Sequence, residues 1–538
     1  MSRRRWGLGA LALASAVTLT LAGCASQSGE APAESGEADS SAVITTNGNE
    51  PQNPLITYGT TEVGGGKILT SIYAGLVSYA ADGAIQNEVA KSIESDDNTT
   101  WTITVADGWT FTNGEAITAQ TFVDTWTAGA QDPNGAYWFY TIEGATDDGS
   151  TEPTGLEVTD EMTFTVTLKA PDADFPLRLG YTAYMPLPSV AFEDMEAFGE
   201  NPIGNGPYML DGEGAWRHDE GISLVVNPDY EGVREVANGG LDIVFYTSLE
   251  SAYADAQGGN LDVLDTVPDT AFATYENDFP ERSVNQPAAI YQGFNIPFYL
   301  DHFGQDEEGK LRREAISMAI NREEITDTIF EGTRTPATDF TSPVVEGWSD
   351  ALEGSEVLSY DPEGAQAKWA EAEEIAPYDG TFRLAYNADG GHQAWVDAVI
   401  NSVTNTLGID AEGQPFPTFA AALDLRTSGT LEGATRAGWQ ADYPSQGNFL
   451  SAQYRTGASS NYEGYTNPEF DAKLDEAAAA ASPEEAAVLY EEAQVMLLQD
   501  LPSVPLWYAN AVGVWGEGVD NVEFGWDSVP LYHLVTKG

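Results

Sequence analysis

The feature that most limits how this chain can fold is the alternation of strand-like and helix-like patterns through most of its 538 residues. Trp101, Ile103 and Val105 alternate with threonines, which is the two-residue period of a half-buried strand. Apolar residues between 311 and 319 instead recur every three or four positions, as in a helix. No repeat with a fixed period of about 20 to 50 residues is present. The pattern therefore predicts α/β lobes with antiparallel or mixed sheets, rather than a solenoid or an all-β array.

Capping residues and prolines mark several expected helix starts. Further strands are expected near residues 162–168 and 222–226. Helices are expected to follow four signals: Thr118, Asn321 with Glu324, Asn467 with Pro468, and Ser482 with Pro483. The last of these helices is expected to end near Gln499.

The charge balance limits the partners of the chain. It carries 22 Lys and Arg residues against 85 Asp and Glu residues, a formal net charge of −63. Binding a phosphate backbone requires clustered basic side chains, so nucleic acid is excluded as a partner. The carboxylates are scattered without a long acidic run, which favours a solvated, self-repelling surface. Adaptation to a salty medium is a second interpretation.

The first 23 residues predict export from the cytoplasm. Arg3–Arg5 form a basic start, and residues 8–21 form an apolar run that is too short to span a bilayer. The run ends in small residues before Cys24, which is the only cysteine of the chain. This pattern resembles the lipobox of bacterial lipoproteins, in which the peptide is cut before the cysteine and the thiol is linked to a diacylglycerol.

That resemblance implies a lipid anchor at Cys24, and a secretory signal with an incidental cysteine is the alternative. Residues 24–41 are small, polar and acidic, which is typical of a flexible tether. No later window holds 18 consecutive apolar residues, so we expect a soluble, extracytoplasmic body whose lipid is its only contact with the membrane. A single cysteine allows no disulfide within the chain.

Enzyme and metal motifs are missing from the sequence. His218, His302, His392 and His533 are scattered singly, without the HExxH pair or the Cys/His spacing of a zinc site. No GxSxG nucleophile motif occurs, and Gly64–Lys67 lacks the first glycine and the Ser or Thr of a phosphate loop. We expect Gly64–Lys67 to be a loop before a helix, and we expect no catalytic residue, metal or cofactor. A glycosidase with a pair of catalytic carboxylates stays an open alternative, because the distance between two carboxylates cannot be read from the sequence.

Several segments occur in an order that is similar to one known family. They are Asn49–Pro54, Ile72–Val77, Asp97–Val105, Trp109–Thr118, Asn205–Tyr208, Asn227–Tyr230, Phe294–Asn295, Leu311–Arg322, Ala434–Tyr443 and the helix after Ser482. This order, over nearly all of residues 42–538, resembles the peptide/nickel family (family 5) of extracellular solute-binding lipoproteins of ABC importers, and most of all its oligopeptide-binding members. An acidic insertion at Asp301–Lys310 departs from the family pattern.

The resemblance implies a two-lobed, periplasmic-binding-protein-like α/β fold whose lobes close around a ligand by a hinge. Lobe I would comprise residues 42–65, 186–285 and 510–538. An extra subdomain of lobe I would comprise residues 66–185, and lobe II would comprise residues 286–509.

The predicted binding chemistry is concentrated in one short segment. The resemblance implies that Asp442 binds the α-ammonium group of a peptide and that Arg436 meets a carboxylate at the far side of the ligand. Burying an unpaired charge is costly, so a fixed carboxylate suits a buried amine. Main-chain groups near Gly438 would pair with the ligand backbone, and Trp439 and Tyr443 would wall the cleft. The alternatives are a turn aspartate, a structural ion pair and core aromatics.

Tyr137, Trp138 and Tyr140 follow a turn at Asp132–Gly135 and are further candidates for the wall of the site. Packing within the extra subdomain is the alternative role for these three aromatic residues.

These observations predict a monomeric, lipid-anchored binding protein at the outer face of a bacterial cell membrane. It would deliver oligopeptides or dipeptides to the permease and ATPase subunits of an ABC importer. The same fold could carry another solute, such as an oligosaccharide, an opine or a metal chelate. A surface hydrolase or adhesin is the third alternative.

Overall fold

The structure is a computed structural model that describes residues 39–60, 62–388, 391–458 and 460–538. The predicted signal peptide, Cys24 and most of the predicted tether lie outside the described residues. The body that follows is built from a large mixed sheet, a smaller antiparallel sheet and helices on their faces.

The strands are β1 (Val43–Gly48), β2 (Val77–Tyr79), β3 (Ile85–Asn87), β4 (Ala90–Glu94), β5 (Thr100–Val105), β6 (Leu156–Asp160), β7 (Thr163–Thr167), β8 (Tyr208–Leu210), β9 (Trp216–Arg217), β10 (Gly221–Val226), β11 (Gly240–Phe245), β12 (Val263–Leu264), β13 (Ser283–Asn295), β14 (Arg334–Pro336), β15 (Phe382–Asn387), β16 (Ala411–Phe416), β17 (Ala434–Gln440), β18 (Ser503–Trp515), β19 (Val519–Asp520) and β20 (Thr536–Lys537). The helices are α1 (Val63–Ile72), α2 (Ala119–Ala130), α3 (Ala136–Phe139), α4 (Phe175–Arg178), α5 (Met195–Gly199), α6 (Leu249–Gln257), α7 (Tyr275–Asp278), α8 (Glu307–Met318), α9 (Arg322–Thr328), α10 (Pro362–Ile375), α11 (Gln393–Leu407), α12 (Phe419–Thr427), α13 (Gln446–Tyr454), α14 (Pro468–Ala478) and α15 (Pro483–Asp500).

The large sheet runs in the order β16-β15-β17-β13-β18-β12-β1-β11-β10-β8, with β14 added to β18 and β9 added to β10. Its middle is the antiparallel ladder of the two longest strands, β13 and β18. The register of this ladder shifts twice, between Pro287 and Tyr291 and between Gln292 and Gly293. Such irregularities bend and twist a strand locally. The two halves of the sheet are therefore joined by a ladder that is bent near its centre.

The smaller sheet has the order β4-β5-β7-β6 and is antiparallel throughout. Trp101, Ile103 and Val105 of β5 are buried, as the alternating pattern predicts. α2 packs its buried Phe122 and Trp126 against Phe164 of β7, with ring centroids 5.9 and 5.5 Å from the ring of Phe164. This sheet and α2 share one apolar core with α1 and with β10 and β11 of the large sheet.

A second apolar core lies at the other end of the large sheet. It combines residues of α8 to α11 and α13 to α15 with β15, β18 and the segment 252–279. The domain boundaries given by the sequence stay a prediction. Two buried hydrogen bonds connect the segment before α4 with helices of this second core, because Ser445 and Tyr490 both donate to the carboxylate of Asp174.

The predicted helix starts are confirmed where a capping residue was identified. Asn321 accepts the backbone N–H of Glu324 at 3.2 Å at the start of α9, and Asn467 accepts that of Phe470 at 3.2 Å at the start of α14. Ser482 accepts the N–H of Glu485 at 3.3 Å at the start of α15, which ends one residue beyond the predicted Gln499. A polar side chain that satisfies an otherwise unpaired N–H is a local signal, so it can be identified from sequence alone.

The prediction for Gly64–Lys67 was wrong, because these residues form the first turns of α1. Glu62 caps this helix by accepting the backbone N–H of Gly65 at 2.8 Å. A Cβ atom on Gly65 would lie 2.3 Å from the side chain of Thr60 and 2.6 Å from that of Glu62. Glycine therefore serves close packing at the helix start, a role that a run of glycines in the sequence does not distinguish from a loop.

Within the described residues, no helix combines the length and the apolar character needed to cross a bilayer.

Candidate functional site

One edge of β17 is partly unpaired among the described residues. It pairs with β13 along residues 435–440, whereas its other neighbour, β15, pairs only with Ala434 and Thr435 among the described residues. The N–H of Ala441 donates to the carbonyl of Ala289 at 2.9 Å. Since hydrogen-bonded pairs alternate along an antiparallel ladder, the main-chain groups of Gly438 and Gln440 face the side away from β13. An extended ligand can pair with such an edge.

The chain turns directly after β17, and this turn carries Asp442. Asn448, in the first turn of α13, fixes the turn through three hydrogen bonds. Its side-chain oxygen accepts the backbone N–H of Asp442 at 3.0 Å and the indole N–H of Trp439 at 2.8 Å. Its side-chain nitrogen donates to Asp442 Oδ2 at 3.0 Å. The carboxylate of Asp442 is thus oriented by the helix that follows it in the sequence.

Asp442 lines a cavity of about 210 Å³, which we call the anionic cavity. Its walls come from α1, from β2, from residues 180–182, from the end of β17 and from residues 526–529 near the C-terminus. Two further carboxylates, of Glu62 and Asp527, line it as well. Lys67 is its one basic lining residue among the described residues, and Lys67 forms an ion pair with the buried Asp265 outside the cavity.

The surroundings of Asp442 disfavour its charge. Burial raises the pKa of Asp442 to about 6, although the hydrogen bond from Asn448 and the positive charge of Arg178 oppose this effect. A carboxylate in this condition gains stability when a cation arrives, because the two charges compensate each other's desolvation. The site is therefore suited to hold a cationic group.

Arg436 and Gly438 line a second cavity of about 290 Å³, which we call the cationic cavity. Arg334 lines it too, together with Asp269 and His392. Burial lowers the pKa of Arg334 to about 10, and the negative charge of Asp269 opposes this effect. Two arginines in one cavity are notable in a chain with 22 basic residues, and they favour an anionic group of a ligand.

The side chain of Arg436 is held toward β15. Its Nε donates to Asn387 Oδ1 at 2.7 Å, and Asn387 is the last residue of β15. Gln440 lines both the cationic and the anionic cavity. The two cavities therefore adjoin at Gln440, and the edge of β17 runs from one to the other.

The predicted aromatic residues line a third cavity of about 460 Å³, which we call the aromatic cavity. Tyr137, Trp138, Tyr140 and Tyr443 all contribute to it. The guanidinium carbon of Arg178 lies 5.2 Å from the ring centroid of Tyr443, a cation–π arrangement. Tyr443 is buried, whereas Tyr137 and Tyr140 are 38% and 42% exposed.

The aromatic and the anionic cavities are linked by ring packing. Trp138 of the aromatic cavity packs on Tyr181 of the anionic cavity, with ring centroids 4.3 Å apart. Trp439 does not line the aromatic cavity; it lines the cationic cavity and packs beside Ala289, Tyr291 and Phe449. The structure thus places Arg436, Gly438 and Trp439 on β17 and Asp442 and Tyr443 just after it. Tyr137 and Trp138 lie on α3, and Tyr140 follows that helix.

One residue of β13 joins the two sides of the anionic cavity. The N–H of Ala289 donates to the carbonyl of Trp526 at 2.7 Å, and its carbonyl accepts the N–H of Ala441. Asp442 and Asp527 each follow one of these bridged residues in the chain. The Gln440 side chain adds a second connection, since its Nε2 donates to the carbonyl of Asp527 at 3.1 Å.

Sequence reasoning did not identify Asn448, Asp527, Arg334 or Tyr181 as residues of the site. Asn448 is six residues from Asp442, after a proline and a capping serine, so its proximity could have been suspected. Asp527 and Arg334 come from segments that are distant in the sequence, and only the fold brings them close. The described residues contain no group of three His, Cys, Asp or Glu side chains that could hold a metal ion.

An open strand edge between cavities of opposite charge is an arrangement for holding a solute, and it defines the class of solute-binding proteins. The comparisons with known proteins agree. The model of the bacterial extracellular solute-binding proteins, family 5 (middle region), matches residues 84–461. The chain belongs to this family, which consists of binding proteins rather than enzymes.

Two relatives and one solved structure illustrate the similarity. The chain is 25% identical to the oligopeptide-binding protein OppA of Bacillus subtilis, with 97% of both chains covered. It is 27% identical to the periplasmic oligopeptide-binding protein OppA of Salmonella typhimurium, over 94% of this chain and 95% of that one. The murein tripeptide-binding protein MppA of Escherichia coli has the same fold, with a TM-score of 0.77 at 22% identity over 93% of this chain and 99% of that chain. The predicted family and the predicted α/β, periplasmic-binding-protein-like fold are confirmed.

Proposed function

We propose that this protein binds oligopeptides or dipeptides outside the cytoplasm and delivers them to the permease and ATPase subunits of an ABC importer. It acts as a monomer and returns its ligand unchanged. The observation that carries the proposal is the carboxylate of Asp442, which lines the anionic cavity at the end of the open edge of β17. The relatives named as peptide-binding proteins support the same ligand class.

The chemistry of a peptide matches this arrangement from end to end. Its α-ammonium group pairs with Asp442, and its backbone pairs with the main chain of Gly438 and Gln440. Its carboxylate points toward Arg436 in the cationic cavity. A strand rises about 3.4 Å per residue, so the six steps from residue 436 to residue 442 span about 20 Å. The long side chain of Arg436 shortens this distance, so peptides of about four to six residues engage both ends.

Aromatic and water-filled space around the edge accommodates varied ligand side chains. The aromatic cavity, with Tyr137, Trp138, Tyr140 and Tyr443, offers flat apolar surfaces, and charged side chains of both signs line it as well. Waters in roomy pockets mediate the remaining contacts of the ligand. Such a site recognises the backbone and the termini of a peptide more strictly than the side chains of that peptide.

Calorimetry with a tripeptide and its N-acetylated form tests the proposed amine clamp. We expect the free tripeptide to bind and the acetylated form to lose most of its affinity, because acetylation removes the positive charge that Asp442 requires. Equal affinity for the two forms would contradict the clamp. The peptide recovered after incubation is expected to be intact by mass spectrometry, whereas fragments would indicate a hydrolase.

Ligand capture is proposed to close two lobes around the cleft. Lobe I comprises residues 42–65, 186–285 and 510–538, the extra subdomain residues 66–185, and lobe II residues 286–509. The walls of the anionic cavity come from all three parts, which supports this division. Small-angle scattering with and without a bound peptide tests it, since closure decreases the radius of gyration and a rigid body leaves it unchanged.

The protein is also proposed to be lipid-anchored through Cys24 after removal of residues 1–23, with residues 24–41 as tether. The lipobox-like sequence supports this, and two or more acyl chains give durable anchoring. A Cys24→Ser variant expressed in a bacterium is expected to leave the membrane fraction and to lose metabolic labelling with palmitate. Membrane association of that variant would contradict the anchor.

An oligosaccharide is a second candidate ligand, which the aromatic residues of the aromatic cavity favour. Sugars require aromatic platforms and neutral hydrogen-bond partners but no fixed negative charge. Substitution of Asp442 by Asn should therefore spare sugar binding while it abolishes peptide binding. Mass spectrometry of the solute that copurifies with the protein distinguishes the two candidates without assuming either.

A further inference from the structure

The anionic cavity contains more negative charge than one α-ammonium group can compensate. Asp442 and Asp527 both line it, and Glu62 is already used as the cap of α1. Lys67 is the basic lining residue, and its ammonium group forms an ion pair with Asp265 rather than with Asp527. A ligand that places a single cation against Asp442 leaves Asp527 without a cationic partner of its own.

Asp527 is positioned to contact a ligand. Its Oδ1 accepts the backbone N–H of Val529 at 3.1 Å, and Oδ2 accepts no hydrogen bond from the described residues. Burial raises the pKa of Asp527 to about 6, while Lys67 and the N–H of Val529 oppose this effect. The carboxylate is therefore charged at neutral pH but poorly compensated, which is the condition in which a cation binds most favourably.

The backbones that carry the two carboxylates are both tied to one residue of β13. Ala289 accepts the N–H of Ala441 at 2.9 Å and donates its own N–H to the carbonyl of Trp526 at 2.7 Å. Ala441 and Trp526 are thus both hydrogen-bonded to Ala289. Asp442 and Asp527 follow them directly and line the same cavity. Their carboxylates can meet two cations on one small ligand.

A further cavity adjoins the anionic cavity at Asp527 and borders the apolar core that α1 shares with β10 and β11. This inner cavity of about 110 Å³ shares Asp527, Tyr79 and Trp526 with the anionic cavity, and its walls are more apolar than polar, with Ser78 among the polar groups. A water needs only about 10 to 15 Å³ of such volume, so the inner cavity has room for several. A long, flexible side chain that enters from Asp442 therefore passes Asp527 and has space behind it.

The basic group of the inner cavity does not compete for Asp527. Arg234 lines that cavity and is held by Glu88, whose Oε1 accepts the Arg234 Nε–H at 2.9 Å. Two further donors of Arg234 bind the carbonyls of Thr70 and Tyr73. Each of the three guanidinium nitrogens thus donates to a neighbour.

We infer that the side chain of the ligand's first residue enters the anionic cavity beside Asp527, and that this carboxylate selects peptides with a basic residue at their amino terminus. This inference rests on the proposed function, because it takes the α-ammonium group to be held by Asp442. Asp527 is a specificity-determining residue, and the four-carbon stem of lysine gives the ammonium group the reach to meet it.

Calorimetry at pH 7.5 with four peptides tests the inference: Lys-Ala-Ala, norleucine-Ala-Ala, Ala-Lys-Ala and Ala-Ala-Ala. Norleucine has the length of lysine without its charge, and Ala-Lys-Ala has the same net charge as Lys-Ala-Ala in another position. We expect Lys-Ala-Ala to bind about 10- to 100-fold more tightly than norleucine-Ala-Ala and Ala-Lys-Ala, as for a charge-assisted hydrogen bond. Equal binding of Lys-Ala-Ala and Ala-Lys-Ala would mean that the acidic protein attracts any cationic peptide, whatever the position of its lysine. That result would overturn the inference.

The variant Asp527→Asn is expected to bind Lys-Ala-Ala and norleucine-Ala-Ala equally while it keeps the wild-type affinity for norleucine-Ala-Ala. Glu523→Gln, which changes an exposed carboxylate of the same segment, is the matched control and should keep the preference. A preference for lysine that persists in Asp527→Asn would overturn the role of Asp527. Binding of norleucine-Ala-Ala also verifies that the variant is folded, and Asp527→Ser replaces it otherwise.

The outcomes separate this inference from the proposed function. If Ala-Ala-Ala binds with its amine required but lysine at the first position gives no advantage, the inference fails and the proposed function stands. If none of the four peptides binds, both fail.

Discussion

The two ends of the β17 edge differ in how their charges are held. At the anionic end, Asp442 and Asp527 are poorly compensated, and the pKa of each is raised to about 6. At the cationic end, Arg334 lies near Asp269, and Arg436 donates to Asn387. A poorly compensated charge gains more from an incoming counter-charge than one that already has neighbours. The anionic end should therefore supply more of the binding free energy, and the cationic end should set ligand length.

Removal of the charge at the anionic end should have the largest effect. In Asp442→Asn, we expect tripeptide affinity to fall by about 30-fold or more, because loss of one partner of a buried charge pair costs about 2 to 5 kcal/mol. Titration calorimetry measures the change. Asp410→Asn, which alters an exposed carboxylate that lines none of the cavities, is the control and should bind normally. Unchanged affinity in Asp442→Asn would mean that the ligand amine binds elsewhere.

In the absence of ligand, Asp442→Asn should stabilise the folded protein, although the same substitution weakens peptide binding. Because the pKa of Asp442 is raised by folding, its protonated form favours the folded state, and this contribution is lost as the pH rises from about 4 to about 6. At pH 7, Asp442→Asn should therefore increase the free energy of unfolding, by about 1 kcal/mol or more. Chemical denaturation of ligand-free protein at pH 7 and at pH 4 tests this, and the gain should disappear at pH 4.

A lower pH should have the next largest effect on peptide affinity, because it neutralises the carboxylate at the anionic end. Below pH 6 the carboxylate of Asp442 becomes protonated and no longer pairs with an ammonium group, so peptide affinity should fall about tenfold between pH 7 and pH 5. The groups that face Asp442 from the surrounding segments are Glu62, Lys67, Tyr79, Arg178, Tyr181, Asn448 and Asp527. Calorimetry over this pH range is the measurement. An affinity that does not depend on pH would show that the ligand is not held by these carboxylates.

A change at the cationic end should have a smaller effect that depends on ligand length. In Arg436→Gln, we expect a loss of about fivefold for a peptide long enough to reach residue 436, close to the 1 kcal/mol of a partly solvated ion pair. Amidation of the peptide's carboxyl terminus should remove the difference between wild type and variant. Dipeptides should bind both proteins equally. A uniform loss at all lengths would indicate that Arg436 supports β15 rather than the ligand.

A substitution in the middle of the β17 edge should have the smallest effect on peptide affinity. A Cβ atom on Gly438 would lie 2.9 Å from the carbonyl oxygen of Tyr291, so Gly438→Ala must displace the backbone of β17 slightly from β13. We expect a loss of about threefold in peptide affinity, similar for all ligand lengths, as for one weakened hydrogen bond. Gly429→Ala, in the turn after α12, is a control outside the site; its positive φ makes it a test of stability alone.

Sequence reasoning pointed to those parts of the candidate site that are local in the chain. Residues 436–443 contain both charges and the strand between them, and the helix starts were recognisable from their caps. The aromatic residues after Asp132–Gly135 were identified as candidates because they are adjacent in sequence. Their cavity, by contrast, also includes Tyr443, which lies more than 300 positions away.

The remaining features depend on distances between segments that periodicity and capping do not encode. Asp527 lies 85 positions beyond Asp442, in a stretch without any recognised motif. Arg334 belongs to a short strand added to the side of β18. In a chain with 85 carboxylates, nothing in the composition indicates that Asp442 and Asp527 line one cavity. The glycines of α1 were misassigned for a related reason, since close packing is a property of the folded state.

Main-chain hydrogen bonds to Ala289 hold the backbone next to positions 442 and 527, and these bonds do not depend on which side chains occupy the two positions. A single substitution at either position can therefore change the charge that the cavity accepts while the framework stays in place. A binding protein with this backbone can therefore change its ligand preference by point mutation while its fold stays the same.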